Sequence, residues 1–462
     1  MDTDGCLQGQ PFFLLPICVK KIKILMKESK LIGERSVSVS CKTGGKTMSH
    51  KVIQVEERVP LLMNIPLSLQ HLFAMFGATV LVPFLFKLNP NTCLFMNGVG
   101  TLLYIFLTKG KIPSYLGSSF AFISPVLLIM ATHPYSDAQS GFIVFGLLFV
   151  LFSFIVKMMG TKWIDFIFPP AAMGAIVSII GLELAPTAAS MAGLVGDKIE
   201  MNNVMVSVFT LLVTVIGSVA FKGFMAIIPI LFGVVCGYVL AFFLGMVDMT
   251  PVINAPWFAV PQFSTPTFNM DAIAIIAPAA LVVLTEHIGH LMVTGNIVGR
   301  DLMKDPGLDR SLFADGCSNI LSGLFGATPN TTYGENIGVM AITKVYSVWV
   351  IGGAAVFAIL LSFIGKLSQL IHGIPGPVMG GVCMLLFGVI AASGFRLLVE
   401  QKVDYSKSRN LTMTAVVMIV GLSGAKLTFG TVTVQGMVLA TLVAILLSLL
   451  FHLFEHMGLL EE

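Results

Sequence analysis

Three ionisable side chains, Glu286, His290 and Glu335, lie in stretches of sequence that are otherwise strongly apolar. Glu286 and His290 fall in TEHIGH (285–290), and their spacing of four places them on one face of a helix. Glu335 falls in TPNTTYGENIGVMAITK (328–344), which is unusually polar for a membrane segment. Such groups are costly in a bilayer, so they are candidates for a functional site. Ionised carboxylates accept hydrogen bonds, which favours a ligand with N–H donors.

The TEHIGH string allows two other interpretations. Glutamate and histidine four residues apart can ligate a cation, but HEXXH is absent and no third ligand has a convincing spacing, so no metal site is predicted. A structural hydrogen-bonded pair stays open as the second interpretation. Other ionisable residues within apolar segments are His71, Glu183 and His287. Glu183 lies near the outer end of its segment, where it can reach water, and a direct role for it also stays open.

Two segments contain residues that disfavour a regular helix. Pro329, the threonines after it and Gly334 interrupt one, and residues 113–125 (PSYLGSSFAFISP) carry Ser, Gly and a proline at each end. Irregular backbone at membrane depth is tolerated where it is buried in protein or lines a cavity. We therefore predict two short extended segments that pair at the midplane and leave some amide groups free. Two ordinary helices, packed closely through small residues, are the alternative.

A cavity at this place would offer three kinds of contact. Glu286 and Glu335 are acceptors when they are ionised. Backbone N–H groups near Phe120 and Gly334 are donors, and Phe120 and Tyr333 provide flat apolar faces. A small planar ring with N–H donors and carbonyl acceptors on its edges satisfies all three, and a nucleobase is such a ring. A sugar lacks the flat face and an amino acid needs a fixed counter-charge, so both match less well.

The composition is that of an integral membrane protein. Of the 462 residues, 56% are hydrophobic and 11% are charged, and the mean hydropathy is +0.92, whereas soluble domains carry about 25% charged residues. The formal net charge of +3 argues against a nucleic-acid partner. The seven cysteines show no CxxC and no paired spacing, so no zinc site or disulfide framework is predicted. No Walker A motif is present, and no cofactor is expected.

From residue 65 onward, apolar segments of about 17–25 residues alternate with short polar joints, the length that a helix needs to cross a bilayer. Fourteen transmembrane segments are predicted: 65–86, 91–108, 114–131, 139–156, 169–190, 203–221, 224–247, 270–297, 311–327, 330–346, 348–367, 375–398, 410–427 and 432–454. With the N-terminus in the cytoplasm, the inner joints hold thirteen Lys and Arg and the outer joints hold four. This asymmetry predicts that both termini are cytoplasmic.

The fourteen segments divide into seven and seven, and an odd number in each half inverts the second half in the membrane. PPAAMGAIV (169–177) is similar to PGPVMGGVC (375–383), and LQHL (69–72) is similar to TEHI (285–288), each pair lying seven segments apart. The predicted fold class is an all-α polytopic membrane protein with two inverted seven-segment repeats and short antiparallel strands in segments 3 and 10. Inverted repeats with a midplane site between broken helices are typical of transporters.

Residues 1–57 are expected to form a disordered N-terminal extension. Its first 47 residues hold eight of the 27 Lys and Arg, and its apolar patch PFFLLPICV is too short for a span. A signal peptide is the alternative, but no small-residue cleavage site follows the patch. Met48 is a candidate for the natural initiator.

The string ENIGVMAITK (335–344) fits the signature of the nucleobase–ascorbate transporter family, which is an acidic or amide residue, Asn, one residue, Gly, four residues, Thr and a basic residue. Gln70 and His71 match the Gln-His pair of that family in the first segment. The chain therefore resembles this family from about residue 58 to its C-terminus, and it is most similar to the members that transport uracil.

The resemblance implies a core domain and a gate domain, each made from two parts of the chain. The core would comprise 58–160 (segments 1–4) and 269–369 (segments 8–11). The gate would comprise 161–268 (segments 5–7) and 370–462 (segments 12–14). The implied activity is proton-coupled uptake of uracil across the bacterial cytoplasmic membrane, with alternating access by motion of the core against the gate. The implied assembly is a homodimer packed through the gate domains.

The resemblance also assigns roles within a substrate site between segments 3, 8 and 10. Glu286 and Glu335 would bind the N–H groups of the ring, and the amides of Phe120 and Gly334 would meet its carbonyl oxygens. His290 would assist directly or through water, and Tyr333 would pack at the ring. Glu335 lies at the core–gate boundary by resemblance and is expected to take up the coupled proton, because a charge is costly to carry through a dry closed state.

One position departs from the uracil-transporting members, which have a tyrosine in segment 12 where this chain has Phe387. Because phenylalanine lacks the tyrosine hydroxyl, we expect drier surroundings for Glu335 or the ring, with the substrate class unchanged.

Xanthine, another purine or thymine is the alternative substrate, although the acidic first position of the signature and the AIT that follows favour a pyrimidine. A channel would need a continuous polar stripe and a membrane enzyme a catalytic loop, and the sequence shows neither.

Overall fold

The computed structural model describes residues 52–429 and 432–458, and these are mostly helical. The expectations for residues 1–51, including the start at Met48, lie outside the described residues. The helices before residue 260 are α1 (Leu61–Ala74), α2 (Phe76–Leu85), α3 (Pro90–Leu107), α4 (Ile123–Met130), α5 (Tyr135–Met159), α6 (Lys162–Ile167), α7 (Pro170–Glu183), α8 (Ala185–Met191), α9 (Met201–Ala220), α10 (Pro229–Phe243) and α11 (Thr250–Asn254). The later helices are α12 (Met270–Ile276), α13 (Ala279–Val298), α14 (Leu308–Phe325), α15 (Gly334–Thr343), α16 (Val348–Leu361), α17 (Gly365–His372), α18 (Gly376–Glu400), α19 (Ser408–Leu422) and α20 (Gly436–His456).

Many of these helices have the length and composition of membrane spans. Within the described residues, eight helical stretches, three of which combine two consecutive helices, are long and apolar enough to cross a bilayer: Leu61–Leu85, Pro90–Leu107, Tyr135–Met159, Pro170–Met191, Met201–Ala220, Met270–Val298, Gly376–Glu400 and Gly436–His456. Four shorter apolar helices are Phe120–Met130, Pro229–Phe243, Val348–Leu361 and Ser408–Leu422. The prediction of a mostly helical, polytopic membrane protein is thus confirmed. The count of fourteen segments and their inverted repetition stay predictions.

Two short strands interrupt the helices in the middle of the molecule. β1 (Leu116–Ser118) pairs antiparallel with β2 (Asn330–Thr332), with Gly117 opposite Thr331. The ladder extends by backbone hydrogen bonds from the amide of Ser119 to the carbonyl oxygen of Pro329 and from the amide of Tyr333 to that of Tyr115. Both strands are fully buried, so the pairing satisfies polar backbone groups that have no access to bulk water.

A second pair of strands, β3 (Lys426–Phe429) and β4 (Val432–Gln435), forms an antiparallel hairpin between α19 and α20. Gly436 begins α20 with a φ of +57°, in the left-handed region that favours glycine. A side chain at this position would also collide with the carboxylate of Glu183 at the end of α7. Position 436 is therefore restricted to glycine on two counts.

Two helix pairs pack through glycines. Gly146 of α5 and Gly316 of α14 face each other so closely that a Cβ on either would come 2.7 Å from the carbonyl oxygen of the other. Gly174 of α7 and Gly394 of α18 make an equivalent contact, because a Cβ on Gly394 would lie 2.6 Å from the carbonyl oxygen of Gly174. Small residues stabilise helix pairs in a membrane by permitting such close approach. These contacts join elements that are far apart in the chain.

The first described residues form a strap along the connection between α15 and α16. The amide of Ile53 donates to the carbonyl oxygen of Lys344, and the amide of Val348 donates to that of Val55. Glu56 forms a two-pronged ion pair with Arg300, which lies just after α13, with one of its two N–O distances at 2.8 Å. The strap therefore connects residues 52–59 to two other parts of the fold.

The ion pair predicts a small, pH-dependent contribution of the strap to stability. The hydrogen bond from Arg300 holds the pKa of Glu56 below its ordinary value of 4.5. A lowered folded-state pKa stabilises the fold above the unfolded-state pKa, and this stability is lost as pH falls through the folded-state pKa. Because both side chains are partly exposed, the pair is worth at most about 1 kcal/mol.

We expect Glu56→Gln to lower the melting temperature in detergent slightly at pH 7, with a difference from wild type that shrinks below about pH 4.5. The control is Glu200→Gln, which changes an exposed carboxylate bonded to nearby Asn203. A difference that is equally large in acid would contradict this role of the pair.

Candidate functional site

A cavity of about 130 Å³ lies beside the paired strands. Its wall includes Glu286 and His290 from α13 and Gly334 from the start of α15. The further lining residues are Val177, Gly289, Val293, Ile297, Ile337, Gly338, Ala341, Ser393, Arg396, Leu397 and Glu400. The structure thus brings three of the six predicted binding residues to one cavity wall, and they come from the two polar segments that the sequence singles out.

Glu286 is the polar group of this wall with an unmet hydrogen bond. Its Oε2 atom is buried and has no hydrogen-bond partner among the described residues. Glu335 follows Gly334, which lines the same wall as Glu286, so the two acids lie in one neighbourhood. A buried acceptor without a partner is costly, and in native proteins it commonly marks a place where a ligand or water binds.

His290 is held in a fixed orientation next to the start of α15. Its Nδ1 atom lies 3.1 Å from the hydroxyl of Thr332 in β2. The other ring nitrogen, Nε2, faces Gly334, where an added Cβ would come within 3.2 Å of it. The missing side chain at Gly334 therefore leaves both the imidazole and the first amides of α15 accessible, and the first amides of a helix have no intrahelical partner.

The other three predicted residues lie outside the lining of the cavity. Glu335 is half-buried in the first turn of α15. Tyr333 is buried, and its hydroxyl donates across the strands to the carbonyl oxygen of Ser118 at 2.9 Å. Phe120 packs edge-on against Phe387, with ring centroids 6.1 Å apart. Phe387, the residue that departs from the uracil-transporting members, thus contacts a predicted site residue directly.

Gln70 and His71 of the first segment lie outside the cavity lining, and His71 contacts Asn336 of the signature string 335–344. The side-chain amide of Asn336 donates to the carbonyl oxygen of His71 at 3.1 Å, and it lies at the same distance from the Nδ1 atom of that histidine. Gln70 keeps a buried Oε1 atom without a partner in the described structure. His71 therefore anchors the residue that follows Glu335 and orients the start of α15.

A fully buried polar network includes His287, which lies about 100° further round α13 than Glu286. His287 places Nε2 2.7 Å from the hydroxyl of Ser311 and Nδ1 3.3 Å from the carboxylate of Asp315. Tyr104 contacts the same Ser311 hydroxyl at 2.6 Å. These side chains are completely removed from solvent, so their mutual contacts compensate part of the cost of burial.

The same network reaches the strand that forms the site. The side-chain amide of Asn319 donates to the backbone oxygens of Asp315 and Asn330, at 2.9 and 3.0 Å. Its oxygen accepts the amide of Asn330 at 2.6 Å. The sequence analysis did not predict this network around Asn319. The signal was a row of polar residues on one face of α14, spaced at helical intervals: Ser311, Asp315, Ser318, Asn319 and Ser322.

Glu183 lies outside the cavity that Glu286 lines. Its Oε2 atom accepts the amide of Met437 at 2.8 Å, at the start of α20. It lines a separate cavity of only about 20 Å³, together with Ser124 and Pro278 among others. The structure therefore does not bring Glu183 together with Glu286 and Glu335.

The site offers hydrogen-bonding groups rather than a metal centre. Across the described ranges, no group of three or more His, Cys, Asp and Glu side chains is arranged to hold a metal ion. Cys93, Cys236, Cys317 and Cys383 are free thiols. The groups that meet at the cavity can bind and orient a small polar molecule and can carry a proton.

Solved structures of membrane transporters share this fold. The anion transporter murine Solute Carrier 26 family member A9, in the inward-facing state, aligns with a TM-score of 0.66 at 12% identity, over 94% of this chain and 75% of that one. The transmembrane domain of the cyanobacterium bicarbonate transporter BicA aligns with a TM-score of 0.58 at 15% identity, over 86% of this chain and all of that one. At such identities the likeness shows the fold alone. The class is a helical multi-pass membrane protein with a transporter-type fold.

The profile of the Permease family matches residues 63–430, and the chain belongs to this family. It is 63% identical to the uracil permease of Escherichia coli (strain K12), over 88% of this chain and 96% of the relative. It is 61% identical to the uracil permease of Paenibacillus larvae subsp. larvae, over 88% and 98% of the two chains. For the uracil permease of Bacillus subtilis (strain 168) the identity is 45%, over 87% and 96%. The family resemblance predicted from the signature is confirmed, and the chain is a permease rather than an enzyme.

The buried network predicts that Asn319 supports the site at a distance from the cavity. We expect Asn319→Ala to lower both the melting temperature and the affinity for the transported ligand, because it leaves the buried backbone groups of Asn330 unpaired at a cost of about 1–3 kcal/mol each. The control is Asn203→Ala, at a residue that bonds only an exposed neighbour, Glu200, in the described hydrogen bonds. Wild-type stability and affinity in Asn319→Ala would show that β2 needs no such support.

Proposed function

We propose that this chain is a symporter that takes up uracil together with protons across the bacterial cytoplasmic membrane. The names of the relatives support uracil as the substrate. The structural observation that carries the proposal is the buried, unpartnered carboxylate oxygen of Glu286 in the wall of a small cavity. An N–H group of a neutral ring would supply the missing hydrogen bond.

Uracil fits the chemistry of the groups that surround this cavity. Glu286 and Glu335 would accept from the N–H groups of the ring, and the backbone amides of Gly334 and Phe120 would donate to its carbonyl oxygens. His290, fixed by Thr332, completes the polar contacts directly or through water. Phe120 and Tyr333 define the apolar surroundings in which the ring lies.

We assign the two walls of the cavity to parts of the chain that move against each other. Glu286, His290 and Gly334 belong to the proposed core domain, residues 58–160 and 269–369. Val177 and Leu397 belong to the proposed gate domain, residues 161–268 and 370–462. The cavity contains residues of both, which supports alternating access in which the core carries the ligand past the gate. The pairing of β1 with β2 supports two inverted repeats of seven segments that meet at the midplane.

In the proposed orientation, with both termini in the cytoplasm, this cavity would face the inside of the cell. The cavity extends from Glu286 to Arg396 and Glu400, which lie at the end of α18 that this orientation turns toward the cytoplasm. On the other side, the cavity next to Glu183 measures only about 20 Å³, room for about one water molecule. A ligand would therefore leave toward the cytoplasm.

Glu335 is the residue to which we assign the coupled proton. It is half-buried and follows the cavity-lining Gly334, so a proton on Glu335 would remove the repulsion between two ionised acids in one neighbourhood. A neutral pair is also far cheaper than a charged one when the site closes and loses water. Uptake of the proton on the outside and its release inside would couple the movement of the core to the proton gradient.

The proposed assembly is a homodimer packed through the gate domains. Helix α9 of the gate carries a row of exposed apolar side chains, including Met205, Phe209, Leu212 and Ile216. This face suits either lipid or a second copy of the chain. Cross-linking of cysteine pairs placed on it, in native membranes, tests the dimer.

We expect Glu286→Ala to weaken uracil binding roughly 10- to 100-fold, because it leaves a buried N–H group of the ring without an acceptor. Equilibrium binding in detergent measures this effect without any transport step. Glu183→Ala is the matched control, since Glu183 lies outside the cavity, and it should bind uracil as wild type does. Wild-type affinity in Glu286→Ala would remove Glu286 from the site.

We expect Glu335→Gln to separate binding from coupling. The amide retains an acceptor for the ring but cannot exchange a proton, so uracil should still bind and exchange across liposomes but should not accumulate along an imposed proton gradient. Glu200→Gln, the same change at an exposed carboxylate outside the cavity, should still accumulate uracil. Accumulation by Glu335→Gln would show that the proton is carried elsewhere.

The alternative is a proton symporter for another nucleobase. Competition of labelled uracil uptake by unlabelled uracil, thymine, xanthine and ascorbate distinguishes the possibilities. Stronger competition by xanthine than by uracil would favour a purine substrate.

A further inference from the structure

A second cavity, unrelated to the polar site, lies between α2 and α10. Its volume is about 480 Å³, against about 130 Å³ for the polar cavity. α2 and α10 touch at Gly77 and Ile230, where a side chain at Gly77 would meet Ile230 at 2.7 Å. Next to this contact the cavity separates the helices, and α1, α3, α16 and α17 complete its wall. The lining residues are Leu69, Leu72, Phe73, Met75, Phe76, Thr79, Val80, Pro90, Leu94, Leu231, Val234, Val235, Tyr238, Val239, Leu361, Leu367, Leu370, Ile371 and Ile374.

The cavity offers nothing to a polar occupant. Its two hydroxyl groups turn their protons to sulfur, since Thr79 donates to Met75 at 2.8 Å and Tyr238 donates to Met249 at 3.4 Å, and no polar surface faces the cavity. All other lining side chains are hydrocarbon, thioether or aromatic ring. A buried water needs two to four polar partners, and cavities without them stay dry or take up apolar molecules.

The cavity is continuous with the surface that faces the bilayer. Val235 and Val239 on its rim are 51% and 46% exposed, whereas Met75 and Leu72 deep in its wall are 1% and 2% exposed. In a multi-pass membrane protein, exposed apolar side chains of this kind contact lipid hydrocarbon. Hydrocarbon therefore lies at the opening of the cavity, and no polar group separates the two.

We propose that this cavity is a lipid site that takes the acyl chain of a membrane lipid, inserted from the bilayer between α2 and α10. Hydrophobic transfer from water does not drive this insertion, since the chain leaves one hydrocarbon environment for another. The gain is packing, because an empty apolar cavity forfeits the dispersion contacts that an acyl chain restores. A flexible, unbranched chain without polar atoms matches both the lining and the side from which the cavity is reached.

An acyl chain at this position would act on transport. α2 belongs to the proposed core and α10 to the proposed gate, so this consequence rests on the proposed function, whereas the binding site itself does not. The occupant would hold apart two helices whose relative position changes when the core moves. The rate of transport would then depend on the lipid acyl chain, while equilibrium affinity for the ligand at the polar cavity would not.

Labelling with a photoreactive lipid tests the site. The full chain is reconstituted in phosphatidylethanolamine liposomes that contain a trace of phosphatidylcholine with a diazirine in its acyl chain, and labelled residues are mapped by mass spectrometry. We expect labels on the cavity-facing residues of α2 and α10 in addition to the exposed surface. Val234→Trp fills the cavity from a buried position and should lose the cavity label, while Val219→Trp, at an 83% exposed position of α9, should keep it.

Two outcomes would overturn the proposal. One is the absence of label from the cavity in the wild-type protein, and the other is cavity label that persists in Val234→Trp. Val80→Phe, which fills the cavity from the opposite wall, serves if Val234→Trp does not fold, as judged by its melting temperature. Labelling requires no transport, so a wild-type protein that labels here but does not move uracil would contradict the proposed function and leave the lipid site standing.

Discussion

Backbone amides and carbonyls cannot be left unpaired in hydrocarbon, and this constraint organises the middle of the molecule. Where the helices are interrupted, β1 and β2 pair with each other and satisfy the groups that the helices no longer satisfy. Strands of three residues are too short to be stable alone. The side chains of Asn319 and Tyr333 therefore reinforce them by binding backbone groups of Asn330 and Ser118. The same interruption starts α15 at Gly334, where the first amides of a helix have no internal partner. One break in the helices thus creates both a rigid support and a set of free donors.

Helix α13 directs two polar residues that are neighbours in the sequence, Glu286 and His287, to different surroundings. Glu286 lines the cavity and keeps an oxygen without a partner, whereas His287, about 100° further round the helix, places Nε2 2.7 Å from the hydroxyl of Ser311 in a completely buried network. The contact of His287 with Ser311 helps to fix the rotation of α13 about its axis. The Glu286 carboxylate is thereby held in place at the cavity wall. A site of this kind needs both, because an unpaired carboxylate on a loosely held helix would turn toward the nearest protein donor.

Several of these features could be predicted from single residues. Pro329 and the threonines after it indicate a break in the helix, and the i, i+4 spacing of Glu286 and His290 indicates one shared face. Side-chain direction could not be predicted in the same way. The sequence shows that Tyr333 is next to the site, but only packing decides that its hydroxyl turns to Ser118. The apolar cavity could not be predicted, because the sequence does not show whether a valine or leucine faces lipid, a neighbouring helix or an empty space.

The pairing of β1 with β2 also affects how the protein is made. Leu116 lies opposite Thr332, which is 332 − 116 = 216 residues later in the chain. At about 5–20 residues per second, a ribosome needs roughly 10–40 s to synthesise that interval. During this time β1 is already made and its partner does not exist, so its amides must be sheltered by water or by the insertion machinery. The paired strands are therefore completed late in biogenesis, and a nascent chain that stops before residue 330 has membrane helices but no β1–β2 pair.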